Sequence, residues 1–136
     1  MSAALLLSLA LQAGAAPVGA VPMGKVPVGD AARGQVLLMD RTQSLCLLCH
    51  ALTPAGDANQ GNLAPPLSRL AARLTREGLR ERIADMRRFN PDTVMPPFLS
   101  TEGLSQVGAA WAGRPALSEQ QLEDLVAYLL TLEGRP

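Results

Sequence analysis

Residues 46–50 read Cys-Leu-Leu-Cys-His, and they contain both cysteines and the lone histidine of the chain. Thiols at this spacing suit three chemistries: a redox disulfide pair, half of a zinc site, or covalent attachment of a haem. A zinc site needs four ligands, and the chain offers no third Cys and no second His. A thioredoxin-like pair sits beside a βαβ pattern, which this sequence lacks. In haem attachment each thiol adds to one vinyl group, and the adjoining histidine is carried beneath the iron as an axial ligand. The motif therefore predicts one covalent haem c on Cys46 and Cys49, ligated by His50.

The rest of the chain is consistent with a core built around such a group. Apolar residues make up 48% of the sequence and charged residues 18%, which excludes a disordered chain. Yet its only aromatics are Phe89, Phe98, Trp111 and Tyr128. A large flat apolar cofactor lowers the need for bulky side chains at the centre. The formal net charge is zero, so the electrostatic footprint of a nucleic-acid binder is missing.

Ala3 to Leu11 is almost wholly apolar, and Ala13-Gly14-Ala15 follows with small residues of the kind found at secretory cleavage sites. The run is too short to span a bilayer, and Gln12, Gly14 and Pro17 interrupt it. Residues 1–16 are thus expected to be a signal peptide, 17–29 a flexible linker rich in Pro, Gly and Val, and 30–136 the folded domain. Export to the periplasm, with no membrane span in the mature form, is the expectation.

Within that domain the helical signals are local. Asp30 can cap a short helix through Met39, with Val36, Leu37 and Met39 as core candidates and Gly34 leaving room for another backbone. Thr53 to Pro66 is loop chemistry throughout, and helix resumes near Leu67. Thr75 is a candidate N-cap for a helix to about Arg87, in which Leu79, Ile83 and Met86 form one stripe. Residues 90–113 carry three prolines and three glycines and are expected to form a long functional loop. Ser118 with Gln121 forms a capping box. It opens a last helix with Leu122, Leu125, Val126, Leu129 and Leu132 on one face, closed by Gly134. These elements predict an all-α fold.

With only one histidine, the second axial ligand must be Met, Lys, Tyr or nothing. Met23 lies in the linker, and Met39 and Met86 fall on helical apolar faces, where Met is ordinarily a core filler. Met95 precedes Pro96-Pro97, which hold it out of helix on a constrained loop suited to covering the other haem face. It is the candidate distal ligand. A ligating imidazole also needs an acceptor for its other nitrogen, and the Pro65 carbonyl is the candidate. Seven arginines between Arg69 and Arg88 read first as a solvated face, and otherwise as docking to an acidic partner or pairing with haem propionates.

Taken together, several segments resemble SoxX, the monohaem subunit of the SoxAX cytochromes of bacterial sulfur oxidation. They are Cys46 to His50, Gly61-Asn62-Leu63-Ala64-Pro65-Pro66-Leu67, Asn90 to Phe98, Thr101 to Leu104, and the helix around Leu122 to Leu129. The resemblance implies a class I cytochrome c-like fold in which the helix after Asp30 crosses the C-terminal helix, with Gly34 facing the Tyr128 region. It also implies Met95 as distal ligand and a heterodimer with a SoxA-like cytochrome subunit. That complex would couple thiosulfate oxidatively to a cysteine of a SoxYZ-like carrier and pass electrons to a downstream acceptor. The family often has Pro where Met86 stands and Gly where Ala64 stands. The alternative is a free-standing monohaem cytochrome c that shuttles electrons between other complexes.

Overall fold

The computed structural model describes residues 26–133 and 135, so the expected signal peptide and most of the linker lie outside the described residues. Among the described residues there are four α-helices: α1 (Ala31–Met39), α2 (Leu67–Ala71), α3 (Arg76–Ala84) and α4 (Glu119–Leu130). Short 3-10 turns occur at Cys46–Leu48, Met86–Arg88 and Ala109–Trp111. Among the described residues there is no strand, only an isolated parallel bridge between His50 and Ala64. No helix among them is long and apolar enough to cross a membrane. The all-α expectation holds.

The frame is the crossing of α1 on α4. Asp30 caps α1 by accepting from the Arg33 N–H, and Ser118 and Gln121 close a reciprocal capping box on α4. At the crossing, a β-carbon on Gly34 would overlap the Asp124 carbonyl and lie 2.9 Å from the Tyr128 β-carbon, so only glycine permits this approach. Gly29 is seated in the same way against Glu123, which brings the end of the expected linker onto α4. Leu122, Leu125, Val126 and Leu129 are buried along α4, each stabilising the fold by about 1.5–3 kcal/mol relative to exposure.

That crossing also decides which face of α1 is buried. Leu37 and Leu38 are buried with Gly34, whereas Val36 and Met39, expected in the core, are exposed. At about 100° per residue, Val36 lies roughly opposite Gly34 and so turns away from α4. Two other elements end earlier than expected. α3 stops at Ala84, because the Asp85 carboxylate accepts from the Arg87 N–H and starts a separate 3-10 turn. Met86 therefore does not continue a helical stripe. α4 stops at Leu130 with Thr131 as its C-cap, before Gly134, which is outside the described residues; Leu132 is nevertheless buried in the turn that follows.

α3 is held to α4 by charge as well as by Leu79 and Ile83. Arg80 Nε donates to the buried Glu123 at 2.6 Å and its Nη2 to Glu119 at 2.6 Å. Of the aromatics, Phe98 and Tyr128 are buried, while Phe89 and Trp111 are exposed.

Candidate haem site

The Cys-Leu-Leu-Cys-His segment is fixed from both ends. Ser44, fully buried, donates its hydroxyl to the Leu38 carbonyl at the end of α1. Leu45 then takes a left-handed conformation, φ 60°, which reverses the chain into the 3-10 turn. A leucine there is strained by roughly 1–2 kcal/mol, and the sequence gives no sign of it. Leu47 enters the core, and the His50 N–H donates to the Cys46 carbonyl at 2.9 Å.

Residues 61–68 run directly alongside the motif. Gly61 donates to the Leu47 carbonyl at 2.9 Å, Ala64 to Cys49 at 3.0 Å and Leu67 to Ala51 at 2.8 Å. A β-carbon on Gly61 would lie 2.6 Å from the Cys49 α-carbon, so glycine is what lets the two backbones touch. This pairing sets the Pro65 carbonyl oxygen 2.6 Å from His50 Nδ1. A carbonyl can only accept, so Nδ1 carries the proton and Nε2 is left with its lone pair, the tautomer a metal-ligating histidine needs.

Met95 is held by an independent set of contacts. Its N–H donates to Thr93 Oγ1 at 3.1 Å, and downstream the buried Phe98 and Leu99 donate to the Ala84 carbonyl, both at 3.1 Å. The Leu117 N–H closes on the Phe98 carbonyl at 3.0 Å. Arg87 ties the far side, pairing with Asp85 at 2.6 Å and donating to the Glu102 carbonyl at 2.9 Å. The Arg87 guanidinium holds the Asp85 carboxyl below the ordinary carboxylate range. The loop expected from its prolines is thus anchored to the end of α3. This Asp85–Arg87 clasp is not evident from residue spacing.

These segments enclose two adjoining cavities of about 300 and 340 Å³. His50, Ala64 and Met95 line both. The first also takes in Cys46, Cys49, Leu48, Leu63 and Pro96; the second takes in Pro65, Leu70, Leu74, Leu79, Arg82 and Met86. Met39, the other described alternative to Met95, lines neither. A larger surface hollow of about 700 Å³ beside Trp111 and Pro115 holds no thiol and no imidazole.

The residues fit a haem. The slot walls are almost entirely apolar, both thiols border one end, and the imidazole and a thioether from separate segments border its middle. Burial pushes the Cys46 thiol above its ordinary range, as expected for sulfur against an apolar wall. A neutral imidazole and a neutral thioether are the donors that suit haem iron in an electron-transfer site.

Comparison with known proteins agrees with this chemistry. The family described as Cytochrome c matches residues 31–133. A chain of the crystal structure of SoxXA from P. pantotrophus superposes with a TM-score of 0.69 at 30% sequence identity, covering 79% of this chain and 84% of that one. No curated protein sequence matches the chain. With four helices among its described residues and an apolar slot beside the Cys46 to His50 motif, the chain belongs to the cytochrome c family, as a haem c-binding member of the SoxX type.

Proposed function

We propose that this chain is the electron-accepting subunit of a periplasmic SoxAX-type complex, partnered with a SoxA-like cytochrome. The complex would couple thiosulfate oxidatively to a cysteine of a SoxYZ-like carrier. The observation that carries this reading is the likeness to SoxXA over most of both chains. When bound, the haem supplies a one-electron ferric/ferrous couple.

The chain's own residues have separable roles. Cys46 and Cys49 would hold the cofactor covalently, and His50, its ring oriented by the Pro65 carbonyl, would ligate through Nε2. The Met95 thioether, neutral and soft, would favour the ferrous state and raise the potential, which suits an acceptor. Leu67, Ile83 and Leu129, buried along the slot, would keep water from its inner wall. Both cysteines are used in attachment, so the chain has no spare thiol to carry sulfur. The sulfur chemistry falls to the partner, and this chain relays electrons to a downstream acceptor.

The test is co-expression with a SoxA-like chain, followed by addition of thiosulfate and a SoxYZ-like carrier. A stable complex whose haem here is reduced only when both are added supports the proposal. Absence of a complex, with reduction by unrelated donors, would make the chain a free-standing electron shuttle instead.

A further inference from the structure

We infer that Arg87 is a positioning residue for the distal ligand: its guanidinium fastens together the two ends of the loop that carries Met95 and so holds the thioether at the slot. The inference rests on Met95 as the axial ligand proposed above. Arg87 stands at the start of that loop, and its side chain reaches two residues at the far end, Ser100 and Glu102, which are 13 and 15 positions away. Nη1 donates to the Glu102 carbonyl at 2.9 Å and Nη2 to Ser100 Oγ at 3.2 Å. Met95 lies between the two ends and lines both cavities with His50.

Asp85 aims the guanidinium. Arg87 Nε donates to Oδ1 at 2.8 Å and Nη2 to Oδ2 at 2.6 Å, a forked pair, and the same carboxylate accepts from the Arg87 N–H at 3.1 Å. An isolated ion pair on a surface contributes little. Here the two side chains are only 32% and 15% exposed, and the fork fixes the guanidinium before it meets the loop. Its bonds to Ser100 and Glu102 therefore close the loop at little further entropic cost. Backbone bonds from Phe98 and Leu99 to the Ala84 carbonyl stay in place without the guanidinium, so its loss loosens the loop and does not release it. A neutral thioether favours ferrous iron, which makes the ferric iron–sulfur bond the one with which loop freedom competes.

The experiment titrates the ferric, full-chain holoprotein with imidazole, which takes the place of the Met95 thioether with no change in oxidation state. Imidazole enters only when the loop is open, so its apparent affinity scales with the open fraction. Arg87→Gln should bind imidazole about tenfold more tightly than the wild type. Arg87→Lys, which keeps the charge without the fork, should resemble Arg87→Gln. Arg88→Gln removes the same charge from an exposed neighbour and should match the wild type. A role confined to stability would lower the melting temperature and leave the imidazole affinity unchanged. That result would overturn the inference, as would equal affinities in Arg87→Gln and Arg88→Gln or full rescue by Arg87→Lys. Met95→Ala checks the ligand itself: an iron–sulfur charge-transfer band that survives there refutes the ligand assignment on which the inference rests, and not the clasp. Should Arg87→Gln not fold, Ser100→Ala removes one loop contact and leaves the ion pair. It should bind imidazole about threefold more tightly, and wild-type affinity there would overturn the inference.

Discussion

The Gly34 backbone lies directly against the Asp124 carbonyl, so closely that any β-carbon at residue 34 would overlap it. The obstacle is backbone on a buried helix and not the end of a flexible side chain, so relief requires α1 and α4 to separate. Gly34→Ala should destabilise the holoprotein by about 1–3 kcal/mol, lowering the melting temperature by roughly 5–15 °C. Thermal denaturation followed at the haem absorbance checks this; an unchanged midpoint would mean the helices do not cross as described.

Gly61→Ala tests the contact between the 61–68 segment and the motif. The added methyl group would push against the Leu48 carbonyl and the Cys49 α-carbon, displacing the strand of chain that delivers the Pro65 carbonyl to His50. The expected outcome is a smaller fraction of protein with low-spin ferric haem and, where ligation is kept, a higher reduction potential, because an imidazole that has lost its hydrogen-bond acceptor is less basic and stabilises ferric iron less. Spectra and potential identical to wild type would contradict it.

Stability should fall on acidification partly through Asp124. The Arg33 guanidinium, with the Asp30 N–H and the Gln120 amide, holds this carboxyl below its ordinary range. A carboxylate whose pKa is lower in the folded chain stabilises fully above its unfolded pKa of about 3.9, and that contribution is lost as pH falls through the folded value. Asp124→Asn should therefore lower stability at neutral pH and flatten the decline below about pH 4. Asp85, held down by Arg87, keeps part of the slope in the variant. Melting curves for the two proteins that run parallel from pH 7 to pH 3 would rule the effect out.

Sequence signals that act over a few residues translated directly into structure. The caps at Asp30, Thr75 and Ser118, the apolar face of α4 and the loop character of 90–113 are all decided by neighbours. What could not be read locally depended on contacts between distant segments. Val36 and Met39 look like core residues until Gly34 fixes which side of α1 meets α4. Met86 continues a helical stripe until the Asp85 carboxylate caps the next turn. The Arg80 pairs with Glu119 and Glu123 join residues about 40 positions apart, and Leu45 in a left-handed conformation has no sequence signature at all. At the site, the grouping of Cys46, Cys49 and His50 on one cavity wall follows from their spacing within five residues. The placement of Met95 and Pro65 beside His50 follows from prolines that restrict their loops.

Attachment through two thioethers predicts a graded response. Cys46→Ala and Cys49→Ala should each retain acid-acetone-resistant haem with a red-shifted reduced pyridine haemochrome, since one vinyl group is left unsaturated. The double variant should release all of its haem. Covalent haem surviving in the double variant would contradict attachment at these residues.

The proposed distal ligand is the centre of the account, because His/Met ligation would make the site an acceptor. Met95 lines both cavities with His50, and Met86 lines only one of them. The direct measurement is the iron–sulfur charge-transfer band of the ferric protein in Met95→Ala and Met86→Ala. Loss of the band in Met95→Ala, with covalent haem retained and the potential lowered, and an intact band in Met86→Ala, is the expected result. A band that persists in Met95→Ala and disappears in Met86→Ala would transfer the ligand to Met86 and contradict the site described here.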